Sequence, residues 1–224
     1  MIKIKRSFPA PASLAIEAGK ASGKYDKPDV IKQLRGDAHD KCYICEMKDL
    51  QDPVVEHLLP HKDGKYIDRK FDWNNLFWAC GHCNGVKNQE KYDMGVIDCC
   101  NQNPEELIDF KLINEIIDVR AKDDANEKAV LTATLVREVF NLKNTGMRIY
   151  KSEMRYQELN KEMNKLYDNL EELNRNPDSK VVLRKLKAIL RRESAFAAFK
   201  RNYIRDNRDR FPQLMAYIAQ GIHN

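Results

Sequence analysis

Nowhere in this 224-residue chain do about eighteen apolar residues run together, so no segment is predicted to cross a membrane as a helix. The opening, MIKIKRSFPAPASLAIEAGK, also lacks the uninterrupted apolar stretch of a secretory leader, and the expected location is the cytoplasm. An excess of one charge is missing too. Lys and Arg number 39 against 34 Asp and Glu, a balance that permits a nucleic-acid partner without requiring one. Neither an internal repeat nor a recognisable base-reading motif is present, so no target sequence can be named.

What is there suffices for a sizeable core, at 42% hydrophobic residues. Six cysteines would suggest a disulfide framework in a secreted chain, but four of them stand as two Cys-x-x-Cys pairs, which in the cytosol argue for metal. Cys99 and Cys100 are adjacent, a strained spacing for a bridge, and are expected as free thiols in or near the core.

The chain divides into an N-terminal part (1–40), a Cys/His/Asn-rich centre (41–98) and a helical remainder (99–224), so the expected class is α+β and mostly helical. Met1 to Arg6 reads as a strand or a basic arm, and Lys27 to Gly36 as a short helix ended by glycine. Asp109 to Leu112 and Glu115 to Arg120 are expected to pair as strands around Asn114, with Asp124 capping a helix toward Phe140. From Arg148 to Asn174 apolar residues (Ile149, Tyr156, Leu159, Met163, Leu166, Leu170, Leu173) recur at three, four and seven, a heptad seam for a helix of this chain or of another. Pro177 ends it. A second helix has Val182, Leu183, Leu186 and Leu190 inside and Arg184, Lys185, Lys187, Arg191 and Arg192 outside. Ser194 is read as the cap of a third helix, and two short helices anchored by Phe196, Phe199, Phe211, Leu214 and Ile218 part near Pro212. Lys200, Arg201, Arg205 and Arg208 are candidates for phosphate or partner contact.

The chemistry concentrates in the centre. CYIC at Cys42–Cys45 is answered by CGHC at Cys80–Cys83, and two such knuckles suit one tetrahedral zinc, because each short turn pre-sets two thiolates. An iron–sulfur cluster or a redox dithiol shares the signal. Four thiolates leave no open position, so the ion should be structural. His82, inside the second knuckle, is either an exposed knuckle residue or a substitute ligand. Between the knuckles a short apolar strand, Val54 to Leu59, carries Glu56 and His57 side by side. Adjacent strand residues point oppositely, and Pro60 supplies an end. Trp73-Asn74-Asn75-Leu76 precedes the second knuckle, and Asn84 and Lys87 follow it on an expected helix.

The order Cys-x-x-Cys, acidic-His, Asn-Leu, Cys-x-x-Cys-Asn-x-x-Lys resembles the HNH nucleases, over about Cys42 to Lys87. The resemblance implies a ββα-metal core, here zinc-stapled, with a C-terminal helical scaffold. It makes His57 the general base, with Asn75 orienting it through a hydrogen bond. Glu56 and Asn84 become oxygen ligands of catalytic magnesium or manganese, while Lys87 and His61 become phosphate contacts. Many members have aspartate and histidine where this chain has Glu56 and Asn84, which favours a hard metal over zinc there. DNA is the favoured substrate. Structured RNA such as tRNA is an alternative for the same site, and a non-catalytic zinc module binding nucleic acid or protein is the rival class. VEHLLPHK, DWNNLFWACGHCNGVK, VREVFNL near Asn141 and SAFAAFKRNYI further resemble the PtuB-type HNH proteins of Septu and retron-linked antiphage systems. That likeness implies a PtuA-type ATPase partner, docked through the heptad helix or its basic neighbours. A retron reverse transcriptase–msDNA complex would be a further partner.

Overall fold

The computed structural model describes residues 1–140 and 147–220. In chain order its elements are α1 (Ala12–Ala18), α2 (Pro28–Asp37), β1 (Pro53–His57), α3 (Ile67–Lys70), β2 (Leu76–Cys80), α4 (Gly81–Lys87), α5 (Pro104–Leu107), β3 (Ile108–Ile113), β4 (Ile116–Ala121), α6 (Glu127–Val139), α7 (Met147–Arg175), α8 (Lys180–Ile189), α9 (Ala197–Asp206) and α10 (Pro212–Gln220). The class is α+β and about half helical, with two small antiparallel sheets.

β1 and β2 pair from Pro53 with Cys80 to His57 with Leu76. Every residue of β2 is buried, because alternate side chains enter different packing layers. Leu76 and Trp78, with Val55, pack against Leu14, Val30 and Leu34 of α1 and α2. Phe77 and Ala79 face the main core, which runs without a break from Met1 and Ile2 through the knuckles to Leu214 and Ile218. The three sequence segments thus share one apolar interior.

Several local expectations need correction. Met1 to Arg6 joins no strand among the described residues. Ile2 and Ile4 are buried, and Ile4 N donates to the Cys99 carbonyl. α2 runs through Gly36 to Asp37. β1 ends at His57 rather than Leu59. α6 is capped by Asn126, whose Oδ1 accepts from Ala129 N, while Asp123 takes the turn before it and Asp124 caps nothing. β3 and β4 pair as expected, closing on Asn114 and Glu115, both at positive φ (47° and 66°), the pair of left-handed residues a tight two-residue hairpin needs.

α7 buries Leu159, Met163, Leu166, Leu170 and Leu173 against α8 and α9 of the same chain, so the heptad seam is used internally. Ile149 lies outside that seam and is exposed. Ser194 does not cap α9, because its hydroxyl donates back to the Ile189 and Arg191 carbonyls. The cap comes instead from far away in sequence: the Glu46 carboxylate accepts from Ala198 N, and the Glu46 carbonyl accepts from Phe196 N. The presumed basic contact face is mostly interior. Lys200 is fully buried against Glu162 at 2.9 Å, and Arg201 and Arg205 each reach Glu105 at 2.7 Å, leaving Arg208 exposed. Arg192 is half-buried rather than outside. Asn141 and Leu142 of VREVFNL lie outside the described residues.

Candidate metal centre and adjoining cleft

Cys42 and Cys45 sit on a loop tied to both neighbouring elements. Cys42 N donates to the Met47 carbonyl, and Tyr43 N to the Trp78 carbonyl of β2. Cys80 ends β2 and Cys83 lies on the first turn of α4, where its N–H points to Cys80 Sγ at 3.4 Å. The four Sγ atoms lie within 4.8 Å of one another, and all four residues are buried. Burial pushes the Cys42 and Cys83 thiols well above their ordinary range, while bonds from the other three sulfurs pull Cys80 down. Four buried thiolates cannot coexist without a cation, so this cluster fits a structural metal such as zinc.

Two residues behind the cysteines were not singled out in the sequence. Arg155 of α7 donates from Nη2 to Cys80 Sγ over 2.9 Å, itself only 5% exposed. Ser152, one turn earlier, stands 3.4 Å from His82 Nε2. The signal was available, since Ser152 and Arg155 are polar residues on the helix face that further along is all apolar. His82 is neither an exposed knuckle residue nor a member of the metal cluster. It is buried, with Nε2 2.9 Å from the Val139 carbonyl, so that nitrogen carries the proton and pins the second knuckle to the end of α6.

Beside the metal cluster lies a cleft of about 340 Å³ whose wall includes Glu56, His57, His61, Asn84 and Lys87. Through Tyr25, Val55 and Asn84 it continues into a groove of about 840 Å³ along β1 and α2. Strand alternation separates the two central residues: Glu56 faces Tyr43 on the core side, while His57 faces Tyr25, ring centres 4.5 Å apart. His61 flanks the His57 ring, with centres 4.7 Å apart. His57 Nε2 is 3.1 Å from the Lys70 carbonyl. A carbonyl only accepts, so Nε2 carries the proton and Nδ1 keeps its lone pair. Burial pulls the ring's pKa down to about 4, leaving it neutral near pH 7. His61 Nδ1 accepts from Gly64 N at 3.2 Å, which leaves its Nε2 as a donor in the neutral ring.

Asn75 does not bond His57. Its Oδ1 accepts from Leu59 N (2.8 Å) and its Nδ2 donates to the Leu59 and Arg69 carbonyls (both 2.9 Å). It clamps together the two loop strands flanking His57, because the loop leaving β1 places backbone groups nearer to the amide than the ring. Lys87 is not free for phosphate: it is 5% exposed, and its three N–H groups are used by the His57 and Leu58 carbonyls and by Glu56 Oε1 at 2.7 Å. Glu56 Oε2 accepts from Tyr43 Oη at 2.6 Å. Both carboxylate oxygens are thus engaged, and among the described residues the four cysteines are the only group of three or more His, Cys, Asp or Glu side chains with metal-ligand spacing. Glu56, with both oxygens taken, does not stand open as a magnesium or manganese ligand, while Asn84 lies in the wall of the cleft. No helix among the described residues is long and apolar enough to cross a membrane. No family model matches the chain, and a search of the curated proteins finds no match either.

Proposed function

We propose that this chain is an HNH-type endonuclease hydrolysing phosphodiester bonds, DNA in preference to RNA, with β1, β2 and α4 as its ββα core and the four cysteines as its structural zinc site. One observation carries the reading. His57 is held by a carbonyl on Nε2, kept neutral by burial so that Nδ1 is unprotonated, and forms part of the wall of a cleft, so the ring can take up a proton near neutral pH. As general base Nδ1 removes a proton from the attacking water, and the Lys70 carbonyl stabilises the imidazolium that forms. His61, with its free Nε2–H beside His57, is placed to donate to a phosphate oxygen or to the departing oxygen. Asn75 keeps the loop strands around His57 in register. No step is assigned to a catalytic cation, because Glu56 is already neutralised by Lys87.

The likeness to PtuB-type proteins extends the proposal to a defence effector acting with an ATPase subunit. The heptad seam is spent within the chain, so docking falls to outward faces, and the exposed basic face of α8 (Arg184, Lys185, Lys187) is the best candidate.

The Lys87–Glu56–Tyr43 arrangement favours a second reading, the non-catalytic zinc module, since it gives Glu56 a purely structural task. Incubating plasmid DNA and total RNA with the protein and magnesium or manganese, with and without the neighbouring ATPase, separates the two. The nuclease reading expects cutting that falls at least about a hundredfold in His57→Ala. Cutting unaffected by that substitution, or none under any combination by folded protein, would leave the binding module standing.

A further inference from the structure

Three guanidiniums, those of Arg192, Arg201 and Arg205, converge on the single carboxylate of Glu105. Arg201 and Arg205 both bond its Oε1 at 2.7 Å. Arg192 Nε stands 3.9 Å from Oε2, and Nε, Nη2 and that Oε2 are all buried with no hydrogen-bond partner. The cluster therefore holds surplus positive charge around a fully buried carboxylate, a costly arrangement unless a further anion shares it.

Arg192 also forms part of the wall of a cavity of about 560 Å³, whose other cations, Lys3, Lys5 and Arg6, come from the N-terminal segment. Among the described residues none of these three forms an ion pair. Arg6 is fixed over two rings, 4.8 Å from the centre of Trp73 and 4.6 Å from that of Phe77, with Nε and Nη2 buried and unpartnered. Two carboxylates share the wall: Asp98, which accepts from Cys100 N and Asn101 Nδ2, and Glu193, 4.0 Å from Nε2 of His39, itself a wall residue, so the four cations outnumber the acids by two. At the rim Phe8 is 67% exposed, a flat apolar face next to the cations. Size, charge and exposed ring together match a phosphate joined to an aromatic base.

We propose that this cavity binds a nucleotide phosphate, carried by a free nucleotide or by the phosphorylated end of a strand, with Arg192, Lys3, Lys5 and Arg6 around the phosphate and Phe8 against the base. It shares no wall residue with the His57 cleft and stands whether or not that cleft is catalytic.

The test titrates the full chain, at low salt, with adenosine 5′-monophosphate, adenosine, and a short single-stranded oligonucleotide with and without a 5′-phosphate, reading calorimetric heat and unfolding temperature. The phosphorylated ligands should bind and raise the unfolding temperature, while adenosine does neither. Arg192→Met should weaken binding about tenfold or more. Its ligand-free unfolding temperature should equal or exceed that of the wild type, because a repulsive charge beside Arg201 and Arg205 is gone. Should Arg192→Met fail to fold, Lys5→Gln, at an exposed position, carries the test with an expected loss of about two- to threefold. Tighter binding of the phosphorylated oligonucleotide than of the monophosphate assigns the site to strand ends, and the reverse order to free nucleotides. No response of the wild type to either phosphorylated ligand overturns the proposal, as does undiminished binding by the folded variants.

Discussion

Replacing Arg155 by methionine removes one bond from the metal centre and little else. Nη2 donates to Cys80 Sγ over 2.9 Å from the middle of the long helix α7, while Nη1 donates to the Lys151 carbonyl of its own helix. Four thiolates around a divalent zinc carry a net double negative charge in a buried setting, and the guanidinium offsets half of it. A charge-assisted hydrogen bond to such a group contributes roughly 1.5–3 kcal/mol, which is about 10- to 150-fold in an equilibrium constant. Groups that support metal ligands from behind commonly govern affinity by about 10- to 100-fold. In a titration with a colorimetric chelator, Arg155→Met should therefore surrender its zinc at a chelator concentration about one to two orders of magnitude lower than wild type, and Arg155→Lys should recover part of the difference. Methionine keeps helix propensity and much of the apolar stem, so far-ultraviolet circular dichroism of the zinc-loaded variant should be unchanged. Equal retention by variant and wild type would refute the role given to Arg155. Wild-type protein folded with no stoichiometric metal would refute its premise.

Lys87→Met leaves the Glu56 carboxylate buried beside Tyr43 without its cation, and the urea midpoint should fall by an amount equivalent to about 3–5 kcal/mol. A Lys87 that only touched substrate would instead lower cleavage and leave the midpoint alone. His57 supplies a pH test. Its folded pKa, about 4, lies below the ordinary 6.5, so the unfolded chain binds the proton more readily between those values. Stability is complete above about pH 6.5 and declines as the pH falls toward 4, by about 2 kcal/mol at pH 5. Urea titrations at pH 7 and 5 should show a loss larger in wild type than in His57→Gln by about that amount, because His82 and His39, also lowered by burial, contribute to both proteins, and cleavage, where present, should persist to near pH 4. A half-maximum near 6.5 would mean that the ring is solvated and the burial argument wrong.

The parts legible in the sequence were those written as local pattern. Strand alternation put Glu56 and His57 of β1 on opposite faces, the two apolar segments around Asn114 gave the second hairpin, and the paired knuckles gave the four-sulfur cluster. What escaped were assignments decided by partners distant in sequence. Lys87 stands one turn after Asn84 on α4, as its spacing implies, but only the fold reveals that β1 and Leu58 just after it present two carbonyls and a carboxylate to its ammonium. Arg201 and Lys200 look like a solvated basic face because their acidic partners, Glu105 and Glu162, belong to other helices. Ser194 has the composition of a cap, yet the N-terminus of α9 is already occupied by Glu46, whose carboxylate is a stronger partner for backbone N–H groups than a hydroxyl.

These long-range bonds make the helical remainder part of the metal centre rather than an appendage to it. The loop bearing the first knuckle reaches α9 through Glu46 and holds the turn before it through Lys41, whose ammonium donates to Ser194 O at 3.0 Å. The second knuckle is held to α6 by His82 and to α7 by Arg155. Removing everything after Asn141 would strip Cys80 of its guanidinium, leave Glu46 without the helix it caps, and uncover much of the shared core. Loss of a partner's binding in that truncation would thus report unfolding. Charge reversal at Arg184, Lys185 and Lys187, exposed on α8 and distant in the chain from both knuckles, asks the docking question without disturbing the sulfurs.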